Sequence, residues 1–425
     1  MHIKLAYGKT GLEVDLPDRN TALVQPQFTP GLTDEDAALT AALRQPIGSK
    51  PVREIVKKYD SVAIVFSDLT RPQPRKPMLK ALLGELAHMP PRQITLINGL
   101  GTHRENNPAE LVEMLGIELV SRYHIVQHNA FDEDALADMG MTSFGNPLLV
   151  NRDYADADVK ILTGFIEPHL FAGYSGGPKA VLPGITGITT TMANHNYQMI
   201  ASSMATWGIT DGNPLWQEML EAALWTKPDF LFNVTLNREQ RITGVFAGDM
   251  LQAHMAGTNH VRETAMAPVK QLFDIVITTN SGYPLDLNLY QGVKGISAAA
   301  QVVKPGGAII LAAECWDGIP EHGEFGALLK MAKSPAELLE IMSQPGFSRQ
   351  DQWQAQVLAQ VLLKAEVYVK NSYLSHEQLR EAMVQPCDSV EETVSMLMKR
   401  YGQHASICVM PEGPMTIPYL APNPA

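Results

Sequence analysis

The sequence has few cysteines and no long hydrophobic run. Its three cysteines, Cys315, Cys387 and Cys408, are odd in number and share no metal-ligand spacing, which points to a reducing compartment and against a disulfide framework. No apolar run reaches the roughly 18 residues of a membrane span. The first residues, "MHIKLAYGKTGLEVDL", lack the apolar core of a signal peptide. We therefore expect a cytoplasmic protein without a membrane segment.

Positive charge is also scarce, because 33 basic residues face 45 acidic ones and the net charge is −12. No basic cluster is present, so the sequence argues against nucleic-acid binding through phosphate neutralisation. With 425 residues, the chain is too long for one ordinary core and predicts two or three domains.

Strand-like apolar runs alternate with amphipathic helical segments from about residue 60 onward, which predicts an α/β fold. The runs rich in β-branched residues are "SVAIVFSD", "QITLING", "VKILTGF", "DFLFNVTLN", "FDIVITTNS", "GAIILAAEC" and "ASICVMPEG". We predict two α/β domains with mainly parallel, Rossmann-like sheets and an active site in the cleft between them. The predicted ranges are 1–267 for an N-terminal cofactor-binding domain, 268–404 for a C-terminal domain, and 405–425 for a tail that returns to the first domain.

Polar residues follow the predicted strands, where ligands bind in open α/β sheets. They are Asp68, Thr70 and Arg71 after the first run, His103 and Arg104 after the second, Glu167, His169 and Lys179 after the third, His195 in the helix-like "TTTMANHNYQMI", and Asp286, Tyr290, Gln291 and Lys294 after "FDIVITTN". Each has an ordinary structural explanation, such as helix capping for Asp68 and Thr70, or a solvated helix face for Gln291 and Lys294. Three histidines at such positions favour a functional site.

The stretch "EPHLFAGYSGGPKAVLPG" is rich in glycine around Lys179. It is not a nucleotide-binding P-loop, since Pro178 replaces the glycine before the lysine and Ala180 replaces the hydroxyl residue that would bind magnesium. The histidines indicate either a metal or acid–base chemistry. Their spacing matches no zinc motif, and "GYSGG" is no nucleophile elbow. From the residues alone, we predict an α/β enzyme that acts on a small anion.

Several motifs together resemble the nickel-pincer lactate racemase family. They are "SDLTRP", "GTHRENN", "EPHLFAGYSGGPKAVLPGI" with a following "NH", and "LYQGVKG", in the family's order and spacing. The resemblance covers nearly the whole chain. It implies a nickel-pincer nucleotide, a nicotinate-derived mononucleotide that binds nickel through sulfur, carbon and sulfur, and separate accessory proteins that synthesise it.

The resemblance also implies a role for each matching position. Lys179 would carry the cofactor covalently through its thioamide, and His195 would ligate nickel. The residues that would line the cofactor are Asp68, Leu69, Thr70 and Arg71. His103 and His169 would be the two bases of a racemase, acting on opposite faces of a 2-hydroxy acid through a 2-keto acid intermediate. The residues that would bind the substrate are Arg71, Tyr290, Gln291, Lys294 and Trp353.

The sequence leaves three alternatives to a lactate racemase open. The same cofactor could serve a racemase or epimerase of a larger acid, such as malate, a hydroxyglutarate, phenyllactate or an aldonate. A zinc hydrolase could use His103, His169 and His195 as metal ligands. A non-catalytic carboxylate-binding protein would leave these histidines as ordinary turn residues.

Overall fold

The computed structural model describes residues 1–27, 29–320 and 323–421. Within these ranges the strands are β1 (His2–Leu5), β2 (Leu12–Asp15), β3 (Thr21–Leu23), β4 (Val62–Ser67), β5 (Ile94–Gly99), β6 (His124–Gln127), β7 (Leu136–Met141), β8 (Pro147–Asn151), β9 (Val159–Phe165), β10 (Pro168–His169), β11 (Gly173–Tyr174), β12 (Phe230–Leu236), β13 (Ile242–Gly248), β14 (Met266–Val269), β15 (Phe273–Thr279), β16 (Val303–Ala312), β17 (Glu366–Lys370), β18 (Gln385–Pro386), β19 (Ile407–Met410) and β20 (Ile417–Leu420).

The helices within the same ranges are α1 (Glu35–Arg44), α2 (Val52–Ile55), α3 (Arg75–Glu85), α4 (Pro108–Leu115), α5 (Ile117–Arg122), α6 (Arg152–Ala155), α7 (Ile188–Asn194), α8 (Tyr197–Ala201), α9 (Pro214–Trp225), α10 (Met250–Ala265), α11 (Leu289–Ala300), α12 (Phe325–Leu329), α13 (Pro335–Met342), α14 (Gln352–Lys364), α15 (His376–Glu381) and α16 (Val390–Tyr401). Short 3₁₀ helices span Pro91–Gln93, Glu133–Ala135, Gly177–Ala180 and Gly413–Met415.

The chain divides into two compact units. We call Phe28–His195 with Ser202–Thr264 the central unit, and Met1–Gln27, Asn196–Ala201 and Ala265–Ala425 together the terminal unit. The names refer to position along the chain.

The central unit is built on a sheet with the strand order β13-β12-β9-β4-β5-β6. All neighbouring strands are parallel except β12 and β13, which are antiparallel. The central strands are apolar along most of their length because helices cover a parallel sheet on both faces. In β4 every residue from Val62 to Phe66 is buried, and α3 contributes Met78, Leu79 and Leu82 to the same core.

The terminal unit contains a fully parallel sheet with the strand order β18-β17-β16-β15-β19-β3. Helix α11 buries Leu289, Val293 and Ile296, and it packs on β15 and β16. Helix α16 begins after the N-cap Ser389, whose side chain accepts a hydrogen bond from the Glu392 amide. These features match the parallel sheets expected from β-branched apolar runs.

The predicted α/β class with mainly parallel sheets is confirmed, and each of the seven runs quoted above contains a strand. One predicted helix is wrong, because "TTTMANHNYQMI" forms two helices, α7 and α8, and His195 is the C-cap residue of α7. The strands β1 to β3 near the N-terminus were not predicted.

The predicted domain ranges differ from the compact units. Residues 1–27 group with the terminal unit, as do residues after 265. The tail was expected to return to the predicted N-terminal range, and β19 does pair with β3 there. It also pairs with β15, and β20 pairs with β14; all of these strands group with the terminal unit. Parallel pairing of the buried strand "ICVM" next to β15 explains this placement. Residues 422–425 of the predicted tail lie outside the described residues.

In the described part of the chain, no helix combines the length and hydropathy needed to cross a membrane. Cys315, Cys387 and Cys408 are buried free thiols.

Candidate active site

An aspartate and a histidine meet at the carboxyl ends of β4 and β5. The Asp68 carboxylate Oδ2 lies 2.7 Å from Nδ1 of His103, and the Thr70 hydroxyl donates to the same carboxylate at 2.9 Å. Asp68 is 3 % exposed, whereas the His103 side chain is 44 % exposed. The carboxylate therefore accepts the Nδ1 proton, which leaves the lone pair of a neutral His103 on Nε2.

Three groups keep Asp68 ionised. Burial by itself would raise the pKa of the Asp68 carboxyl, but the hydrogen bond and charge of His103, the charge of Arg71 and the Thr70 hydroxyl outweigh it. The pKa of Asp68 is therefore lower than that of an ordinary aspartate. An ionised carboxylate is the form that orients an imidazole.

The hairpin of β10 and β11 places His169 beside Phe171. The two rings meet edge to face with centroids 4.6 Å apart. The Nδ1 atom of His169 accepts a hydrogen bond from the Ala172 amide at 3.2 Å. A neutral His169 with this bond carries its proton on Nε2, the opposite arrangement to His103.

Lys179 lies in the short 3₁₀ helix Gly177–Ala180, with its Nζ 5.8 Å from the centroid of the Phe171 ring. Burial, followed by the positive charge of Arg71, lowers the pKa of Lys179 to about 7. A substantial fraction of this amine is therefore uncharged at neutral pH, the form in which lysine is a nucleophile.

His195 also packs against Phe171, and the centroids of the two rings are 5.3 Å apart. It is 4 % exposed, and its Nδ1 lies 3.1 Å from the Thr191 carbonyl oxygen. Burial and then the charge of Lys179 lower the pKa of His195 to about 3, against the opposing effect of the Thr191 carbonyl. A neutral imidazole that donates from Nδ1 has its lone pair on Nε2, as a metal ligand requires.

Two residues from distant parts of the chain hold the glycine-rich loop. Asn233 on β12 accepts a hydrogen bond from the Gly177 amide at 2.8 Å, and Nε2 of His254 on α10 lies 3.0 Å from the Ser175 carbonyl oxygen. Gly177 has φ +50°, and a Cβ there would lie 2.5 Å from the His254 ring. At this position glycine is required by backbone conformation and by packing against protein atoms, without any appeal to a cofactor.

Of the five predicted substrate-binding residues, Arg71 belongs to the central unit and the other four belong to the terminal unit. Tyr290, Gln291 and Lys294 are partly buried residues of α11. Trp353 on α14 donates from Nε1 to the Tyr290 hydroxyl at 3.2 Å, so these two aromatic residues do come together.

Other polar residues at strand ends have structural roles. Arg104 forms an ion pair with Glu110 at 2.7 Å, and Asp286 accepts hydrogen bonds from the amides of Gly8 and Glu314. Leu69 packs against the core of the central unit.

Four residues that support the site were not predicted from the sequence: Phe171, Asn233, His254 and Arg75. Phe171 lies two residues after His169 in "HLF", and this proximity could have drawn attention to it. Asn233 and His254 lie more than fifty residues beyond Lys179, and no local pattern connects them to it.

The described residues contain no group of three or more histidine, cysteine, aspartate or glutamate side chains suited to a metal ion. The three histidines therefore do not form the ligand set that the zinc hydrolase alternative needs. The central unit instead combines a His–Asp pair, a lysine whose pKa is lowered to about 7 and a buried histidine whose pKa is lowered to about 3. Titratable groups perturbed in this way make it a candidate acid–base site.

Comparison with known proteins identifies the family. Residues 7–208 match the model of the lactate racemase N-terminal domain, and residues 269–417 match that of the lactate racemase C-terminal domain. The lactate racemases of Thermoanaerobacterium thermosaccharolyticum and Lactiplantibacillus plantarum are 33 % and 35 % identical to this chain over 419 residues, which is 97 % of the chain and 98 % of each relative. The chain belongs to the lactate racemase family, and it is an isomerase of the racemase class.

Solved structures agree with this assignment. The lactate racemase apoprotein from T. thermosaccharolyticum superposes with a TM-score of 0.92 at 32 % identity, covering 98 % of this chain and 100 % of that one. A protein from Thermotoga maritima has a TM-score of 0.68 at 19 % identity, over 91 % of this chain and 98 % of its own. The second likeness concerns the fold alone.

Proposed function

We propose that this protein racemises a small 2-hydroxy acid, with lactate as the first substrate to test, and that it uses a nickel-pincer nucleotide. The observation that carries the proposal is the arrangement around Phe171, whose ring meets those of His169 and His195 edge to face and whose centroid lies 5.8 Å from Nζ of Lys179. One aromatic ring thus holds together a candidate base, a candidate metal ligand and a candidate anchor.

The residues fit the cofactor on chemical grounds. Because the pKa of Lys179 is about 7, part of its amine is in the uncharged, nucleophilic form that covalent attachment of the cofactor would require. A His195 whose pKa is about 3 remains unprotonated at neutral pH and can bind nickel through Nε2. The cofactor would supply the other nickel ligands itself, so His195 would be the protein's contribution to the metal. When bound, the cofactor would accept a hydride from the substrate α-carbon and return it.

The protein's own part in this reaction is to move the hydroxyl proton. As the hydride leaves, the hydroxyl must lose its proton, and Nε2 of His103 has the lone pair to accept it because Asp68 holds Nδ1–H. His169 starts in the opposite tautomer, with the proton on Nε2. The two histidines therefore suit a cycle in which one accepts a proton and the other donates one.

Substrate binding is the second part. Arg71 is an exposed cation beside Lys179, and a guanidinium can bind a carboxylate through two hydrogen bonds. Gln291 and Lys294 remain predicted partners in this role, with Tyr290 and Trp353 as predicted contacts of the substrate. Larger 2-hydroxy acids remain the alternative substrates.

The experiment begins with protein made together with the accessory proteins that synthesise the pincer. Intact-mass analysis, nickel determination and a panel of 2-hydroxy acids resolved by chiral chromatography would be applied to the same sample. We expect a covalent mass increment on the Lys179 peptide, one nickel per chain and racemisation of lactate. Turnover without nickel would contradict the cofactor, and turnover of malate or another larger acid in preference to lactate would select the alternative substrate.

A further inference from the structure

Arg75 is a buried cation whose described hydrogen bonds all go to backbone carbonyls. It is the first residue of α3 and is 8 % exposed. Its guanidinium donates to the carbonyl oxygens of Ser67 at 2.6 Å, Arg71 at 2.7 Å, Gln73 at 3.3 Å and Asp68. These four carbonyls belong to one segment, residues 67–73, which we call the β4–α3 loop.

This placement of Arg75 is unfavourable by itself. Burial lowers the pKa of its guanidinium to about 10, although the Asp68 carboxylate acts in the opposite direction. A cation in the first turn of a helix also opposes the helix dipole. The four carbonyls and the negative charge of Asp68 offset these costs, so the β4–α3 loop and Arg75 depend on each other.

The carbonyls fix the backbone from which the candidate site projects. A peptide unit is planar, so fixing the carbonyls of Asp68 and Arg71 restricts the backbone on which both side chains are carried. Gln73 completes the arrangement, because its Oε1 accepts from the Ser67 amide at 2.8 Å and its Nε2 donates to the Thr163 hydroxyl at 2.8 Å.

We propose that Arg75 is a positioning residue for the proton-transfer pair: by binding the carbonyls of the β4–α3 loop, it holds Asp68 where that carboxylate can orient His103. This inference rests on the proposed role of His103 as a base. Arg75 itself is not assigned a contact with substrate or cofactor. A displacement of about 1 Å at a catalytic group can reduce turnover about a hundred-fold, so loosening the loop is expected to slow catalysis.

The chain offers a matched control in Arg152. This arginine is also the first residue of a helix, α6, and also donates to backbone carbonyls, at 2.5 Å to Leu136 and 3.3 Å to Asp134. It lies in the same unit but holds a different segment. Arg75→Met and Arg152→Met therefore both remove arginine-to-carbonyl hydrogen bonds, although Arg75 is buried and Arg152 is exposed.

The first measurement is amide hydrogen exchange of the whole apoprotein. The Arg71 amide donates to the Asp68 carbonyl and the Ser67 amide to Gln73. We expect Arg75→Met to accelerate exchange in the peptide covering residues 67–73, and Arg152→Met to leave that peptide unchanged. If this peptide exchanges in Arg75→Met at the same rate as in the wild-type protein, the proposal is wrong.

The second measurement is steady-state racemisation by holoprotein of known nickel content, with its solvent deuterium isotope effect. We expect Arg75→Met to lower kcat about ten-fold or more, to change KM less than three-fold, and to raise the isotope effect because proton transfer becomes slower. Arg75→Lys keeps the charge but reaches fewer carbonyls, so its kcat should lie between those of the wild-type protein and Arg75→Met. Guanidinium ion added to Arg75→Ala should restore part of the lost kcat.

The outcomes distinguish this inference from the proposed function. If nickel-loaded Arg75→Met retains wild-type kcat and isotope effect, Arg75 is not a positioning residue. If Arg152→Met loses kcat equally, the effect is general destabilisation and the proposal is also wrong. Should Arg75→Met fail to fold, Arg75→Lys supplies both measurements. If the wild-type protein racemises nothing, the proposed function fails while the exchange experiment still tests the loop.

Discussion

Nδ1 of His103 and Oδ2 of Asp68 are 2.7 Å apart, although they come from loops that follow different strands, β4 and β5. Adjacent parallel strands end at the same edge of a sheet, and this brings the two loops together. The contact turns a solvent-accessible histidine into one with a defined tautomer.

Replacing Asp68 with asparagine tests this pair. The amide can offer N–H as well as C=O to the imidazole, so the Nδ1–H form of His103 is no longer enforced. We expect kcat of the holoprotein to fall about a hundred-fold, with nickel retained. Asp158→Asn, which makes the same change at an exposed carboxylate hydrogen-bonded to Ser61, is the control and should leave kcat unchanged. Normal kcat in Asp68→Asn would show that the pair is not needed.

The two candidate bases make a prediction that separates a racemase from a one-base enzyme. His103→Ala and His169→Ala should each lower turnover about a hundred-fold or more, starting from either enantiomer. In the proposed mechanism the two enantiomers have equal free energy and would share one keto intermediate, so both directions should slow. Chiral chromatography of nickel-loaded variants measures this, with His124→Ala, an exposed histidine of β6, as control. Near-normal rates in either variant would remove that histidine from the mechanism.

The lowered pKa of Lys179 predicts how chemical labelling of its amine depends on pH. Its pKa of about 7 means that its amine becomes reactive near neutrality, whereas an ordinary lysine with a pKa of about 10.4 is still protonated there. Acetylation of the apoprotein, quantified on the Lys179 peptide, should rise to half its maximum near pH 7. The exposed Lys80 provides a reference rate within the same digest. A Lys179 profile that rises only above pH 9 would contradict the lowered pKa.

The same lysine affects stability in a direction that can be derived. Between pH 7 and about 10.5, the unfolded chain binds one more proton at Lys179 than the folded chain, so the free energy of unfolding rises with pH across this window. The loss of stability that comes from the lowered pKa of Lys179 is fully present below pH 7. Lys179→Met should therefore stabilise the apoprotein at pH 6, and its advantage should shrink as pH rises to 10. Urea denaturation at several pH values measures the difference, and a variant less stable at pH 6 would refute the argument.

We expect removal of the His195 side chain to abolish nickel binding without unfolding the protein. His195→Ala should reduce bound nickel well below one per chain while circular dichroism stays unchanged, because Nε2 is the proposed ligand atom. The control is His128→Gln, which replaces another buried histidine, whose Nε2 lies 3.0 Å from the Thr186 carbonyl oxygen. Stoichiometric nickel in His195→Ala would disprove the ligand assignment.

The fold was predictable where hydrophobic patterning is strong. The run "SVAIVFSD" forms β4, where five successive residues are buried because helices cover both faces of a parallel sheet. Strands β1 and β2 were missed because each is four residues long and alternates buried with exposed positions. The break after Asn194 was missed as well, since helical periodicity does not reveal where the last turn ends.

The site was predictable only in part. Polar residues at strand ends drew attention to Asp68 and His103, and family resemblance added Lys179 and His195. The supporting residues could not be found in this way. Arg75 sits between prolines in "QPRKP" and reads as a surface charge, because arginine is seldom buried. Its burial becomes evident only when four carbonyls are seen to converge on it.

The pairing of β3 with β19 also constrains how the protein is made. These strands are neighbours in one parallel sheet, yet they lie near opposite ends of the chain. A ribosome releases β3 early, but its partner emerges only after almost four hundred further residues. The central unit, encoded between them, can fold during synthesis. Strand β3 has no partner strand until β19 is made, when translation is nearly finished. A nascent chain arrested before residue 407 should thus contain a folded central unit and an N-terminal segment that is still sensitive to protease.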